Sequence, residues 1–265
     1  CTCVTSWLST SPPDSKFSIR MLTTREGWEN DASRKAPLPV WISAKVAFCR
    51  SVCILSVDRK AGTMAVAMVT GGGRGLGLAA SVALAEVGFT VAVADLSLKS
   101  AEQTAASLPG GEHRAVMMDV ADEASVISMF DTVEDELGPV SVLATFAGIL
   151  IERDGSGVGI AQSTIAEWQS TIGVNATGTF LSVREMLRRR QINPVKDGRI
   201  ITVSSLAAQI GSPRGGAPYV ASKGAVLSLT KLAAIEGAPL GVTANCIAPG
   251  MIETAMLRQV LDQTG

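Results

Sequence analysis

The chain has 265 residues, of which 47% are hydrophobic and 18% are charged, and its formal net charge is -1. This length and apolar content are sufficient for a sizeable core, and the composition is not that of a disordered chain. The near-neutral charge disfavours a general nucleic-acid-binding surface, and no uninterrupted apolar run reaches the roughly 18–20 residues that span a membrane. We therefore expect a globular protein whose partners include neither nucleic acid nor a membrane.

The organisation of the chain changes at Met64. Residues 1–63 mix Pro, Ser, Thr and charges without sustained periodicity, whereas residues 64–265 alternate apolar strands with helical patterns. Such alternation predicts an α/β domain, a single Rossmann-type doubly wound parallel sheet with helices on both faces. We expect residues 1–63 to be an N-terminal extension that is poorly ordered or not part of the working domain.

Cysteine usage indicates neither a metal site nor an oxidising compartment. Cys49 and Cys53 have no second ligand pair, and the only histidine, His113, is far along the chain. No metal is therefore expected, and a cytoplasmic location is the default.

The predicted elements alternate regularly along the domain. The strands are expected at 65–69, 90–94, 115–118, 140–145, 199–204 and 242–247, each a short apolar run. The helices between them are expected at 76–87, 98–108, from Asp122 to Gly138, from a Thr164–Glu167 capping box to about Arg189, and at 218–236.

A glycine-rich turn joins the first predicted strand to its helix. Residues 70–77 read Thr-Gly-Gly-Gly-Arg-Gly-Leu-Gly, and such a turn lets the backbone approach a pyrophosphate that the helix N-terminus attracts. Asp95 ends the second strand, where its carboxylate can accept hydrogen bonds from ribose hydroxyls and would repel the 2′-phosphate of NADP. Arg74, a basic residue in the turn, could instead hold that phosphate. NAD is therefore favoured, and NADP stays open as the alternative cofactor. A flexible loop without a ligand is the alternative.

A second group of residues suggests acid–base chemistry. Tyr219 and Lys223 are four apart, so on a helix they share one face, and a neighbouring ammonium is expected to lower the pKa of the phenol. Tyr219 could then exchange a proton with a carbonyl or alcohol oxygen. Ser204 and Ser205 end the fifth strand, and Asn175 lies within a long helix that it could bend. Taken singly, each of these residues also fits an ordinary structural role.

Together these motifs resemble the short-chain dehydrogenase/reductase family over residues 64 to about 256. The resemblance implies that Tyr219 is the proton donor or acceptor, that Lys223 lowers its pKa and holds the nicotinamide ribose, and that Ser205 orients the substrate oxygen. Ser204 is the less favoured serine, and Asn175 would support a water in a proton relay. The cofactor would contact Gly71, Gly73, Arg74, Gly75, Leu76, Gly77, Asp95, Leu96, Asp119, Val120, Ala147, Gly148, Tyr219, Lys223, Pro249, Gly250, Ile252 and Thr254.

The implied activity is hydride transfer between a nicotinamide and a ketone or secondary alcohol. Within the family, the sequence as a whole resembles the 3-oxoacyl-carrier-protein reductases. Dehydrogenation of a 3-hydroxyacyl group is the reverse of that reaction. A homodimer or homotetramer is expected for the full-length form. The alternative is a catalytically silent dinucleotide-binding or interaction protein.

Two departures from the family pattern bear on these expectations. The residues after the fourth strand are Thr145-Phe146-Ala147-Gly148 where the family has Asn-Asn-Ala-Gly, so contacts to the adenine ribose are expected to differ. The chain also stops at Gly265, before the family's seventh strand, and we expect this truncation to leave a sheet edge exposed.

Overall fold

A computed structural model describes residues 4–8, 19–21, 65–153 and 155–250 of this chain. Strands are numbered in chain order, and the short β1 (Val4–Leu8) and β2 (Ile19–Met21) precede the main parallel set. That set is β3 (Val66–Thr70), β4 (Thr90–Asp95), β5 (Arg114–Met117), β6 (Val140–Thr145), β9 (Gly198–Val203) and β10 (Val242–Ala248), with β7 (Glu152–Arg153) and β8 (Ser156–Gly157) forming a separate hairpin.

The parallel strands lie in the spatial order β10-β9-β6-β3-β4-β5. The strand order reverses between β3 and β6, which are neighbours although two other strands separate them in sequence. In open α/β sheets a ligand crevice forms beyond the carboxyl ends of the strands at such a reversal. The fold therefore directs attention to the loops that follow β3 and β6.

Helices cover both faces of the sheet. They are α1 (Gly75–Glu86), α2 (Leu98–Ser107), α3 (Glu123–Leu137), α4 (Ile165–Ile172), α5 (Gly178–Ile192), α6 (Leu206–Ile210) and α7 (Gly216–Gly237). The side chains of Ser97 and Asp122 cap α2 and α3, and the predicted capping box of Thr164 and Glu167 begins α4. These caps satisfy backbone N–H groups that a helix start otherwise leaves without partners.

The central strand β3 shows how the core divides into two layers. Val66 and Met68 pack in one apolar cluster with residues of α3, α5 and α7, whereas Ala67 and Val69 pack in another with residues of α1 and α2. Successive side chains of a strand point to opposite faces, so both faces of β3 are buried. The predicted doubly wound fold, with its six strands in chain order, is confirmed.

The structure also contains elements that the sequence pattern did not predict. The β7–β8 hairpin has strands of only two residues, too short to show an alternating pattern. The long helix predicted from Thr164 is interrupted by a π-helical turn at Gly173–Thr177, and α6 is a short helix after β9. All three lie near the carboxyl edge of the sheet.

The sheet edge at β10 has a partner, contrary to the expectation that truncation would expose it. β1 pairs antiparallel with β10, with Val4 opposite Ala248, and β2 pairs antiparallel with β1. The backbone groups at this edge of β10 therefore bond to residues from the N-terminal extension. The remaining residues of 1–63 lie outside the described ranges. Within those ranges, none of the helices has the length and hydropathy needed to cross a membrane.

Candidate active site

The glycine turn after β3 has no space for side chains at two positions. A Cβ atom on Gly77 would lie 2.1 Å from the carbonyl oxygen of Gly71, and one on Gly71 would lie 2.6 Å from the nitrogen of Ala147. Gly71 and Gly75 have positive φ angles of 66° and 57°, which glycine adopts without steric cost. The turn thus brings a bare backbone and the N-terminus of α1 to the carboxyl edge of the sheet, an arrangement that suits a phosphate group.

Asp95 lies beside this turn at the end of β4. Its Oδ2 accepts a hydrogen bond from the N–H of Gly73 at 2.9 Å, and its Oδ1 accepts one from the N–H of Ser97 at 3.0 Å. Each carboxylate oxygen has a further lone pair. The carboxylate therefore holds the turn in place and keeps capacity for additional donors, such as ribose hydroxyls.

The segment after β6 connects the glycine turn to the second group of residues. Gly71 is in close contact with Ala147, and a Cβ on Gly148 would lie 3.3 Å from Oδ1 of Asn175 and 3.5 Å from Nζ of Lys223. Ala147 and Gly148 thus lie between the glycine turn and the side chains of Asn175 and Lys223. A dinucleotide on the glycine turn would reach Lys223 by passing over Ala147 and Gly148.

Tyr219, Lys223 and Ser205 converge where α7 meets the end of β9. The Ser205 side chain lies close enough to the Tyr219 phenol to lower its pKa, whereas the Ser204 hydroxyl donates to the carbonyl oxygen of Lys223 at 2.7 Å. The Nζ of Lys223 donates to the carbonyl oxygen of Val203 at 2.8 Å and lies 5.8 Å from the centre of the Tyr219 ring. Of the two serines, Ser205 is therefore the one beside the phenol.

Burial alters the acidity of both ionisable groups. Desolvation raises the pKa of Tyr219, and its hydrogen bond with Ser205 opposes that shift. Burial lowers the pKa of Lys223 to about 8, and the nearby Cys246 acts in the opposite direction. The sequence-based expectation of a lowered phenol pKa is therefore wrong for the chain without ligands, because desolvation disfavours the phenolate.

Asn175 occupies the π-helical turn and is fully buried, with 0% exposure. Its Oδ1 accepts from the N–H of Ile149 at 2.8 Å, and its Nδ2 donates to the Ile149 carbonyl at 2.9 Å and to Oγ of Ser222 at 3.0 Å. The π turn interrupts the regular helix where the amide crosses to the loop after β6. No spacing rule in the sequence indicates Ile149 or Ser222 as its partners.

The other predicted residues are distributed around the same edge. Leu96 is exposed after β4. Asp119 is exposed after β5 and accepts a hydrogen bond from the N–H of Ala121, while Val120 is buried against Gly178. Pro249 follows β10, and its carbonyl accepts from the N–H of Leu206 at 2.9 Å. Arg74 is exposed in the turn, Leu76 and Gly250 are half-buried, and Ile252 and Thr254 lie outside the described residues.

An open cavity of about 1060 Å³ lies between the β7–β8 hairpin, the start of α4 and the start of α7. Its lining includes Ile165, Trp168, Ala217 and Ala221 but neither Tyr219 nor Lys223. Ala217 and Ala221 lie on the face of α7 opposite to Tyr219. The lining also includes Gly216 and Val220, which neighbour Tyr219 on α7, so the cavity borders the start of the helix that carries the acid–base residues.

Comparisons with known proteins show the family to which the chain belongs. The family model described as short chain dehydrogenase matches residues 65–265. An uncharacterized oxidoreductase of Escherichia coli (strain K12), YgfF, is 36% identical over 73% of this chain and 78% of its own length. A 3-oxoacyl-[acyl-carrier-protein] reductase of Synechocystis is 38% identical over 73% of this chain and 76% of its own. The solved structure of gox2181 is 34% identical, covers 75% of this chain and 76% of its own, and superposes with a TM-score of 0.67.

Proposed function

This chain belongs to the short-chain dehydrogenase family of oxidoreductases, and on that premise we propose that Tyr219 is its acid/base in the interconversion of a ketone and a secondary alcohol. The observation that carries the proposal is the convergence of three side chains: Ser205 acts on the Tyr219 phenol and lowers its pKa, and Nζ of Lys223 lies 5.8 Å from the centre of the same ring. The cofactor implied by the family is a nicotinamide dinucleotide, which supplies or accepts the hydride.

The residues of the turn fit that cofactor. Side chains are excluded at Gly71 and Gly77 by backbone contacts, as a pyrophosphate approaching the N-terminus of α1 requires. Asp95 would accept hydrogen bonds from the adenosine ribose, and its charge favours NAD over NADP. Arg74 is the residue that would favour the phosphorylated form.

In the reductive direction Tyr219 would donate its phenolic proton to the carbonyl oxygen while the carbonyl carbon gains the hydride. Ser205 would donate a hydrogen bond to the same oxygen, which accumulates negative charge as the bond order falls. Because burial raises the pKa of Tyr219, the phenol remains protonated and ready to donate at neutral pH. Reprotonation of the phenolate would run through Lys223 and a water held by Asn175.

The finer features of the proposal rest on similarity. The Synechocystis relative is named for the reduction of 3-oxoacyl groups on a carrier protein, and we extend 3-oxoacyl reduction, or its reverse, to this chain. A homodimer or homotetramer is supported by exposed apolar side chains on α4, α5 and α7, namely Trp168, Phe180 and Leu232. We also propose that the protein is located in the cytoplasm.

The decisive experiment is a fluorescence titration of the purified chain with NADH and with NADPH, followed by turnover assays on a panel of ketones. We expect saturable binding, with NADH preferred, and turnover that Tyr219→Phe lowers by about 10²- to 10⁴-fold without weakening cofactor binding. Asp95→Ser is the matched variant for cofactor choice, and it should shift the preference towards NADPH.

Two results would contradict the proposal. If Tyr219→Phe retained full turnover, the acid/base assignment would be wrong. Cofactor binding without turnover of any ketone would instead support the alternative of a catalytically silent dinucleotide-binding protein.

A further inference from the structure

Glu152 is a carboxylate with a buried atom that nothing in the described structure bonds. Its Oε1 is enclosed and has no hydrogen-bond partner, and desolvation raises the pKa of its carboxyl group. A buried acceptor that is left unbonded is costly. Because the residue as a whole is half-buried and not enclosed, its carboxylate is a candidate for a donor that a ligand provides.

The register of the β7–β8 hairpin fixes the side of the hairpin on which Glu152 lies. Glu152 is directly opposite Gly157, and Arg153 is opposite Ser156. Directly opposed residues of an antiparallel pair project from the same face, and successive residues from opposite faces. Arg153 pairs with Glu167 of α4, so Glu152 projects from the other face, together with the Cβ position of Gly157.

That face is turned towards the start of α7. A Cβ on Gly157 would lie 2.3 Å from the nitrogen of Gly216, and the N–H of Gly157 donates to the carbonyl of Arg214 at 3.0 Å. The adjacent Gly215 is in contact with the phenol ring, since a Cβ there would lie 3.3 Å from Cδ1 of Tyr219. Opposed Cβ atoms in such a pair are about 5 Å apart, so the Cβ of Glu152 lies about that far from the Gly157 position that packs against Gly216.

The hairpin is also tied to the acid–base residues through its N-terminal connection. Ile149, three residues before Glu152, exchanges hydrogen bonds with the side chain of Asn175 through both its N–H and its carbonyl. The segment that carries Glu152 is therefore bonded to Asn175 before the hairpin and to the start of α7 within it.

We propose that Glu152 recognises the substrate, accepting a hydrogen bond from a hydroxyl or ammonium group that the substrate carries away from its reacting carbonyl. The inference rests on the proposed function, because it places the substrate against Tyr219. A substrate with the donor bonds the carboxylate, whereas an analogue without the donor leaves the carboxylate without that bond. Sites of this kind discriminate strongly against the analogue.

The test compares cyclohexanone and hexanone with their hydroxy and amino derivatives, using the wild-type chain, Glu152→Leu and Glu152→Gln. We expect the wild type to favour at least one derivative over its parent ketone by about tenfold or more in kcat/KM. In Glu152→Leu this preference should disappear while turnover of the parent ketone changes little. The hydroxy and amino series separate the two donor chemistries, and Glu152→Gln, which keeps an acceptor without the charge, should retain more of a hydroxyl preference than of an ammonium preference.

Glu112→Gln is the matched control, because Glu112 is exposed and precedes β5 at the opposite edge of the sheet. Glu152→Leu removes an unbonded polar atom, so its thermal unfolding temperature should not fall, which separates recognition from a structural role. An equal preference in the wild type and Glu152→Leu would overturn this inference alone. Failure of the wild type to turn over any ketone would overturn the proposed function and this inference together.

Discussion

At the scale of single residues, the phenol of Tyr219 experiences two opposing influences. Burial disfavours the charged phenolate and raises the pKa, and the hydrogen bond with Ser205 stabilises the phenolate and lowers it. The net shift is upwards. The phenol is therefore protonated at neutral pH.

This shift can be measured directly because the chain contains one tyrosine. The near-ultraviolet absorbance of tyrosinate should appear only above the usual pKa of about 10, and in Ser205→Ala it should appear at a still higher pH. The folded state binds the phenolic proton more tightly than the unfolded state. Stability should accordingly fall as the pH rises above 10.

Tyr219→Phe is the control for both measurements, because it removes the absorbance change and the associated loss of stability. Titration of the wild type below pH 10 would show that burial does not dominate the phenol's environment. No further shift in Ser205→Ala would show instead that Ser205 does not lower the phenol's pKa.

At the scale of elements, the β3–α1 connection depends on backbone contacts rather than on side chains. The carbonyl of Gly71 lies against Gly77 in the first part of α1, where no atom can move aside without shifting the helix. The same contact fixes the position of the α1 N-terminus. If the turn binds a phosphate, as we propose, that binding would therefore depend on the folding of this unit.

We expect Gly77→Ala to destabilise the protein and to weaken dinucleotide binding by at least tenfold, because its Cβ would overlap the Gly71 carbonyl. Gly224→Ala is the matched control, since Gly224 lies within α7 and a Cβ there meets no atom within 4 Å. That substitution should stabilise the helix by about 0.5–1 kcal/mol. Urea denaturation and the NADH titration check both variants, and normal binding by Gly77→Ala would contradict the assignment of the turn.

At the scale of the whole molecule, a buried ionic cluster joins α3, α5 and β6. Arg190 has 0% exposure, pairs with Glu134, and donates to the carbonyl of Val140 at 2.8 Å. Glu134 in turn accepts from the N–H of Val140 at 2.9 Å, and Arg189 bridges Glu134 to Asp131 and Glu185. The cluster ties the helical layer to the strand whose end forms the floor of the site.

The two halves of the Arg190–Glu134 pair should respond differently to substitution. Glu134→Gln leaves a fully buried guanidinium without its anion, and we expect it to lower the free energy of unfolding by about 3–5 kcal/mol. Arg190→Met should cost less, because Glu134 keeps Arg189 and the Val140 N–H as partners and a methionine fills similar space. Urea denaturation of both variants tests this order. If Arg190→Met lowered the free energy of unfolding as much as Glu134→Gln or more, the Arg190–Glu134 pair would not be the main source of the cluster's stabilisation.

Local features of the sequence determined most of the architecture of this protein. The apolar runs predicted six strands in order, and the predicted bounds differ from the observed ones by about one residue. A central strand that is buried on both faces needs an apolar residue at nearly every position, so its ends can be seen in the sequence. The glycine turn and the Tyr219–Lys223 spacing were equally visible, since steric demand and helical periodicity act over a few neighbouring residues.

Tertiary structure alone decided how distant side chains meet. The contact of Ser205 with Tyr219, the bonds from Asn175 to Ile149 and Ser222, and the enclosure of Glu152 all join residues from different elements. The pairing of β1 with β10 likewise joins opposite ends of the chain. The direction of the Tyr219 pKa shift depends on how much water packing removes from around the phenol, a quantity that three-dimensional packing sets and that residue spacing does not record.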